Sequence, residues 1–332
     1  MGAFFFAEKR KIIKSIIINK ETQKKEEKVM LENIKDLQVG ADQDIILLVK
    51  SVENNESING PYQKLVVRDK FDHEEVVMNF SQTQLNVQPP IVLKFRIKTE
   101  EYKSGISYQY MSSLPVENTR LEDYLPKSQI NQADSWNYLV QTSKSLRPGL
   151  KKIVGRVLSA NSADFKAKAL TPHKAFARRN GILEATCQLV KMAIAACDIL
   201  GLDKDLMVAG AMLYYIGYVD CLDNGFMSTA DEVLIGPGNL AYEKVMNQIW
   251  SILASENEEV KMSLDMHDMK LLCHILLCRY RGNSPSIPEA YVLRNLDSIL
   301  VETDAMKTAL KDREPGSIVA ASYVNAGKLY KR

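Results

Sequence analysis

Side chains that could bind a metal ion occur at two places in the last third of the chain. His267 and Asp268 are adjacent in LDMHDMKLL, and His274 and Cys278 are spaced by about one helical turn. Imidazole, carboxylate and thiolate groups are common metal ligands, and a structural site usually combines more than two of them. We therefore expect a capping or surface role for His267 and Asp268, and a buried His274 beside a core cysteine.

Three further acidic residues, Asp220, Asp223 and Asp231, follow an apolar and aromatic run. Carboxylates can attract a hard cation, but a solvated loop is the simpler interpretation of this spacing. The stretch GPGN at 236–239 has the composition of a turn and lacks the glycine spacing of phosphate-binding loops. Nothing in the sequence points to nucleophilic Ser-His-Asp or Cys-His catalysis.

Length and composition are typical of a globular protein with two domains. The chain has 332 residues, with 43 Lys and Arg against 41 Asp and Glu, so its formal charge of +2 excludes a polycation but leaves room for a small basic surface. Its five cysteines form no CxxC pair, which favours reduced thiols in a cytoplasmic protein. No apolar run is long enough for a transmembrane helix.

The first 29 residues form a charged extension. Its apolar FFFA precedes the basic KRK, which is the reverse of a secretory signal. The simplest interpretation is an extension that packs on the protein or frays. Two alternatives stay open: attachment to a membrane surface as a basic amphipathic helix, or docking to a protein partner.

The segment 43–112 predicts five short strands. QDIILLVKSVE, KLVVRDK, EEVVMNF, IVLKFRIK and ISYQYMSS are rich in β-branched and aromatic residues and are separated by turn-forming residues. Five such strands in so short a segment are typical of a small barrel. We predict a five-stranded OB-fold β-barrel over residues 30–116.

OB folds bind single-stranded nucleic acid by stacking bases on aromatic rings and by pairing phosphates with Lys and Arg. Candidate side chains of both kinds lie in or beside the predicted strands. The candidate binding residues are Tyr62, Lys64, Arg68, Lys94, Arg96, Lys98, Tyr108 and Tyr110, and Phe80 and Phe95 are further aromatics in these strands.

The basic candidates of the fourth strand, and the two tyrosines of the fifth strand, each lie on one face of their strand by alternation. KFRIK places its three basic residues on one face, which either follows phosphates or is an ordinary solvated face above a core of Phe95 and Ile97. Tyr108 and Tyr110 also share a face, so they could form a stacking pair.

The second half of the chain predicts helices. ILEATCQLVKMAIAACDIL spaces its apolar residues three and four apart. Asp203 can cap the next helix, and Ser286 with Glu289 matches a capping box. We predict a polar linker over 117–150 with room for a short helix, an all-α bundle over 151–312 and a C-terminal tail over 313–332.

In order and spacing, these segments resemble the YhaM-type 3′–5′ exoribonucleases, which combine an OB fold with a helical HD domain. The resemblance covers roughly residues 30–310. It rests on MLENIKDLQVG, NGPYQKLVVRDKFDHEEVVMNF, GILEATCQLVKMA, DLMVAGAMLYYIGYV and RGNSPSIPEAYVLRNLDSI. It implies a two-domain α+β protein with an OB barrel followed by an HD-like bundle.

An active HD domain holds one or two divalent metals that activate a water molecule and neutralise a phosphate. The family's LEHT is LEAT here, its LLHDIGK is MLYYIGY, its GH is Gly-Pro and its HHG is Tyr-Arg-Gly. The positions aligned with the family's motifs are therefore Ala185, Tyr214, Tyr215, Tyr218, Pro237, Tyr280 and Arg281, with Asp297 of RNLDS as the late aspartate that is retained.

One carboxylate is too small a donor set for a catalytic metal. The resemblance therefore implies a degenerate HD domain with no catalytic residues and no cofactor, and Mn²⁺ or Mg²⁺ would bind only if this alignment is wrong. The tyrosines either fill the vacated pocket or form a pocket for a base or nucleotide, where Arg179 and Arg281 could meet a phosphate.

Three functions follow as hypotheses. The first is a catalytically inactive protein that binds single-stranded RNA, or DNA, through the OB fold, with the HD domain as a scaffold. The second is a residual metal-dependent 3′–5′ exoribonuclease. The third is a non-enzymatic subunit that forms a homo-oligomer or joins a larger assembly.

Overall fold

The chain divides into two compact units, one before and one after the peptide bond between Tyr124 and Leu125. The computed structural model describes the chain from residue 30 onward. Within it the gaps are 82–83, 103–104, 118, 173, 225, 255–257, 263, 280–282, 312 and 321–326. The predicted extension over residues 1–29 lies outside the described part.

The first unit contains a closed five-stranded barrel. Its strands are β1 (Asp42–Ser57), β2 (Gly60–Arg68), β3 (Glu74–Asn79), β4 (Ile91–Tyr102) and β5 (Gly105–Pro115). They close in the order β1-β2-β3-β5-β4, with β3 and β5 parallel and the other neighbours antiparallel. This small Greek-key barrel is an OB fold, as the sequence predicted.

Alternation along the strands separates the barrel interior from its surface. On β2, Gln63, Leu65 and Val67 are buried, whereas the residues between them are partly exposed. On β4, Phe95 and Ile97 belong to the barrel core. The period of two in these sequences therefore decides which side chains are available to a ligand.

A buried carboxylate joins the β2–β3 connection to the segment before β1. Asp69 is fully buried, and its Oδ2 accepts the backbone N–H of Ile34 at 2.9 Å and faces His73 Nδ1 at 2.9 Å. Its Oδ1 accepts the backbone N–H groups of Phe71 at 2.7 Å and His73 at 3.0 Å. One side chain thus satisfies three backbone donors at the end of the barrel.

The second unit is helical around one apolar core. Its helices are α1 (Gln132–Lys144), α2 (Pro148–Ala160), α3 (Ser162–Ala167), α4 (Gly181–Leu200), α5 (Lys204–Leu213), α6 (Ala230–Leu234), α7 (Pro237–Leu253), α8 (Glu258–Met262), α9 (Met266–Leu277) and α10 (Pro288–Leu310). A 3-10 turn covers Ile216–Val219, and a two-stranded hairpin of β6 (Ile318–Ala320) and β7 (Lys328–Tyr330) follows α10.

The structure differs from the sequence prediction at both ends of this unit. The segment 117–150, predicted as a polar linker, contains α1 and the start of α2, and Leu139 of α1 is buried in the helical core. The predicted tail over 313–332 contains the hairpin, whose Leu329 joins the same core. In both segments few apolar residues carry the packing, so composition alone did not reveal it.

The helix caps agree with prediction at one of two places. Asp203 caps α5 by accepting the N–H of Leu206 at 3.0 Å, as expected. The predicted capping box at Ser286 is wrong, because the cap residue of α10 is Ile287 and it makes no side-chain cap. The carboxylate of Glu289 instead accepts the N–H of Asp203 at 3.1 Å.

We expect Asp69→Ala to destabilise the barrel by about 3 kcal/mol, because it removes the acceptor of three backbone N–H donors, of which that of Ile34 is buried. Asp36→Ala, an exposed carboxylate in the turn that Asp69 anchors, should change the free energy of unfolding by less than about 0.5 kcal/mol. Calorimetry of both variants checks this. Equal stability of the two variants would contradict the anchoring role.

Candidate functional site

Two aromatic rings lie next to each other on the outer surface of β2 and at the end of β3. The ring centroids of Tyr62 and Phe80 are 5.9 Å apart with their planes inclined by 32°, and Phe80 is 59% exposed. Their outward direction follows from the pair beside them, since Gln63 and Asn79 face the interior and hydrogen bond at 2.9 Å. This buried amide pair fixes the register that turns both rings outward, with Phe80 exposed and Tyr62 partly exposed.

The same surface continues along β2 and β3. Lys64 is paired in register with Met78, and Val66 with the exposed Val76. Lys64 makes no ion pair within the described part of the chain. We call Tyr62, Lys64, Val76, Met78 and Phe80 the aromatic face. It offers rings and apolar atoms to a planar ligand and one ammonium group to an anion.

Arg68, at the far end of β2, has its charge offset by acidic neighbours. Its guanidinium lies 2.7 Å from the Glu74 carboxylate, which also binds Lys50 at 2.6 Å. Burial raises the pKa of Glu74, but its hydrogen bonds to Lys50 and Arg68 outweigh this and lower the pKa overall. Arg68 is therefore less available to a phosphate than the sequence suggested.

The three basic residues of β4 do share the outer surface, as their alternation predicted, with Phe95 and Ile97 inside. Two of them are paired: Lys94 with Asp44 at 3.3 Å and Lys98 with Glu100 at 2.6 Å. Arg96 is exposed and makes no ion pair among the described residues. The basic stripe thus reduces to one uncompensated charge.

Tyr108 and Tyr110 do not form the predicted outer stacking pair. Tyr108 is only 8% exposed and belongs to the barrel core. Tyr110 packs edge-on against Phe95, with ring centroids 6.0 Å apart, and its hydroxyl lies 3.0 Å from that of Ser113. The two tyrosines do share a face, but it is the inner one, because alternation alone does not say which face is inside.

In the helical unit, three tyrosines surround one arginine. The guanidinium carbon of Arg279 lies 4.9, 4.8 and 4.6 Å from the ring centroids of Tyr214, Tyr215 and Tyr218, respectively. Asp297 completes the group: its Oδ1 accepts the Tyr215 hydroxyl at 2.6 Å and lies 3.5 Å from Arg279 Nη2. We call these five residues the tyrosine cluster.

The environment of the cluster keeps its three tyrosine hydroxyls protonated and uncharged. Burial raises the pKa of Tyr215 well above its ordinary value, and the negative charge of Asp297 raises it further. Burial is also the main cause of the raised pKa values of Tyr214 and Tyr218. The cluster therefore contains one cation, one carboxylate and three uncharged rings.

The side chains at the aligned metal positions do not fit a divalent metal. Ala185 is buried and has no donor, Pro237 is the first residue of α7, and Oδ1 of Asp297 already faces both Tyr215 and Arg279. Tyr280 and Arg281 lie outside the described residues. Among the residues that are described, no group of three or more His, Cys, Asp and Glu side chains could hold a metal.

The remaining metal-ligand candidates have structural partners. Asp268 accepts two hydrogen bonds from Arg147, at 2.6 and 2.7 Å, so it clamps α9 to the start of α2 rather than lying free on the surface. His274 Nε2 accepts the N–H of Ser286 at 2.9 Å, and the core Cys278 lies beside it, as predicted, but His274 itself is only partly buried.

The predicted acidic loop is held by local contacts. Asp220 pairs with Lys244 at 2.6 Å, and Asp223 accepts the N–H of Met227 at 2.9 Å. Asp231 lies in the first turn of α6. Arg179, predicted near the vacated pocket, donates its own N–H to the carbonyl of Pro126 at 2.6 Å.

Sequence reasoning missed Arg279, the residue at the centre of the tyrosine cluster, and assigned the positive charge to Arg281. The available signal was a single basic residue directly after the apolar run LLCHILLC. A charge at the end of a buried helix needs a partner, but the sequence does not say which one.

This chain, with its OB barrel and its helical unit, is similar in sequence to known proteins. No protein-family model matches the chain. It is 24% identical to the 3′–5′ exoribonuclease YhaM of Bacillus subtilis (strain 168) over 297 residues, which cover 84% of this chain and 91% of that protein. Identity to the protein of the same name from Listeria monocytogenes serotype 4b (strain CLIP80459) is 24% over 305 residues, covering 86% and 94%.

Among solved structures, the second OB-fold domain of replication protein A from Methanococcus maripaludis matches 28% of this chain and 99% of that domain, at 11% identity and a TM-score of 0.23. The strand order and the helices of the chain itself define the class of protein, an OB barrel followed by a helical unit. Within that class, the chain is similar over most of its length to the YhaM-type 3′–5′ exoribonucleases, at about 24% identity.

A search of the described helices for a segment both long and apolar enough to cross a membrane finds none.

Close packing beside Tyr218 predicts a sensitive position. A Cβ atom on Gly217 would overlap the carbonyl oxygen of Pro237 and lie 2.7 Å from the backbone nitrogen of Ala241, both on α7. We expect Gly217→Ala to lower the free energy of unfolding by about 3 kcal/mol or more, because the backbone of α7 has to move to make room for the methyl group. Tryptophan fluorescence during urea unfolding reports this unit, since Trp136 and Trp250 both belong to it.

Gly155→Ala on α2 is the matched control, because a Cβ there meets nothing within 4 Å. It should leave stability unchanged or raise it by up to about 1 kcal/mol through helix propensity. A Gly217→Ala protein as stable as this control would show that the contact with α7 is not tight.

Proposed function

We propose that this protein binds single-stranded RNA through the aromatic face of its OB barrel and does not cleave it. The observation that carries the proposal is the exposed Phe80 beside the partly exposed Tyr62, next to Lys64, which makes no ion pair within the described part of the chain. Single-stranded DNA is the second ligand of the same chemistry.

The geometry of the aromatic face suits bases better than it suits duplex backbone. Two rings 5.9 Å apart present flat apolar surfaces on which bases can stack, and each stacked base contributes about 1–3 kcal/mol. Lys64 supplies one phosphate contact on this face, while Arg68 is engaged with Glu74. We therefore expect stacking to contribute more than charge, and binding to depend only weakly on sequence.

The proposed lack of cleavage rests on the residues of the helical unit. The relatives are named as 3′–5′ exoribonucleases, and the resemblance implies that such catalysis uses divalent metal in the HD domain. Here the aligned side chains are alanine, tyrosine and proline, and Asp297 is paired with Arg279. These groups supply neither enough ligands for a metal nor a base for a water molecule.

The remaining parts of the proposal concern location and assembly. Five free cysteines, all buried, suit a reducing cytoplasm. A homo-oligomer or a protein partner is compatible with a helical scaffold, and the alternative of a pure interaction subunit predicts protein binding without nucleic-acid binding.

Phe80→Ala should weaken the binding of a labelled single-stranded RNA by about tenfold, because it removes one stacking ring worth about 1–3 kcal/mol. Fluorescence anisotropy at constant salt measures the dissociation constant. Phe71→Ala is the matched control: Phe71 is 56% exposed, similar to Phe80, but lies in the β2–β3 connection at the opposite end of these strands.

Phe71→Ala should leave the affinity unchanged. An equal loss in both variants would move the interface away from the aromatic face. No binding by the unmodified protein would favour the interaction subunit.

End-labelled single-stranded RNA incubated with the full chain and Mn²⁺ should stay at full length on a denaturing gel, because the aligned metal ligands are replaced. The same gel run with Mg²⁺ tests the other metal. A ladder that shortens from the 3′ end and disappears with EDTA would establish the residual exoribonuclease and refute the inactive assignment.

A further inference from the structure

We propose that the Arg279 guanidinium is a built-in cation that takes the place of a divalent metal in the helical unit, so that this unit folds without metal. The proposal concerns the fold of the helical unit and does not depend on RNA binding. It starts from the mismatch between the aligned metal positions and the side chains that occupy them.

Three side chains at the aligned positions converge on one cation. Tyr214, Tyr215 and Asp297 stand at positions that the resemblance assigns to metal ligands, and all three contact the same group, the guanidinium of Arg279. A tyrosine ring attracts a cation to its face, whereas a neutral phenol is a poor metal ligand. The replacement residues are thus suited to an organic cation.

The charge of Arg279 is buried and faces one carboxylate. Arg279 is almost fully buried, with 8% of its side chain exposed, and Asp297 is the carboxylate that faces it. A divalent ion beside Asp297 would meet this one carboxylate and the positive charge of Arg279. Its desolvation would then be uncompensated, which is prohibitive inside a protein.

Arg279 connects separate elements of the helical unit. A metal ion connects the elements that supply its ligands, and Arg279 makes connections of the same kind. It follows α9, donates from Nη1 to the carbonyl of Tyr214 at 3.1 Å, contacts Tyr218 of the 3-10 turn and pairs with Asp297 of α10. One side chain therefore joins three parts of the core.

The test is thermal unfolding of the full chain, followed by tryptophan fluorescence. The melting temperature of the unmodified protein should not change with EDTA, Mn²⁺ or Mg²⁺. Arg279→Ala should lower it by about 10 °C, since it removes a buried pair, and low-millimolar guanidinium chloride should then raise it again by filling the vacated cage.

Three controls make the result specific. Sodium chloride at the same concentration should not rescue Arg279→Ala. Arg147→Ala removes an arginine held by carboxylates without an aromatic cage, and guanidinium should rescue it less. Arg279→Lys keeps the charge but loses the planar group, so it should lie between Arg279→Ala and the unmodified protein; it also serves if Arg279→Ala does not fold.

Stabilisation of the unmodified protein by Mn²⁺ or Mg²⁺, or its destabilisation by EDTA, would overturn the proposal. A melting temperature of Arg279→Ala equal to that of the unmodified protein would overturn it too, as would rescue of this variant by Mn²⁺ instead of guanidinium. None of these readouts involves RNA, so a failure here is distinguishable from a failure of the proposed function.

Discussion

A buried positive charge sets the strongest constraint on the helical unit. Removing a guanidinium from water costs several kcal/mol, so the surrounding residues have to supply compensating charge and hydrogen bonds. Arg279 receives one carboxylate, one backbone carbonyl and three ring faces. The elements that carry these groups are held where the charge needs them, which accounts for the three bulky tyrosines in this region.

The barrel depends on a different constraint, the burial of polar groups inside a small apolar core. Gln63 and Asn79 satisfy each other in the interior, and Asp69 satisfies backbone donors at the end of the barrel. Each of these groups would be costly if it lost its partners. Because strands alternate, fixing Gln63 inward also fixes Tyr62 and Lys64 outward.

The sequence predicted the elements that depend on local pattern and missed those that depend on pairing across the fold. The five strands of the barrel and the Asp203 cap of α5 follow from period, turn residues and capping preference, whereas the cap predicted at Ser286 does not form. The inward direction of Tyr108 and the pairing of Arg68 with Glu74 depend on closure of the barrel. The position of Arg279 depends on three distant segments, so neither composition nor spacing could locate it.

One hydroxyl of the tyrosine cluster is buried at a cost in free energy. The Tyr214 hydroxyl is buried and has no hydrogen-bond partner among the described residues, which costs about 1–3 kcal/mol. The ring of Tyr214 compensates by its contact with Arg279, whose cation–π energy is about 2 kcal/mol when desolvated. The position is therefore occupied for its ring and not for its oxygen, and an oxygen donor is what a metal site would require.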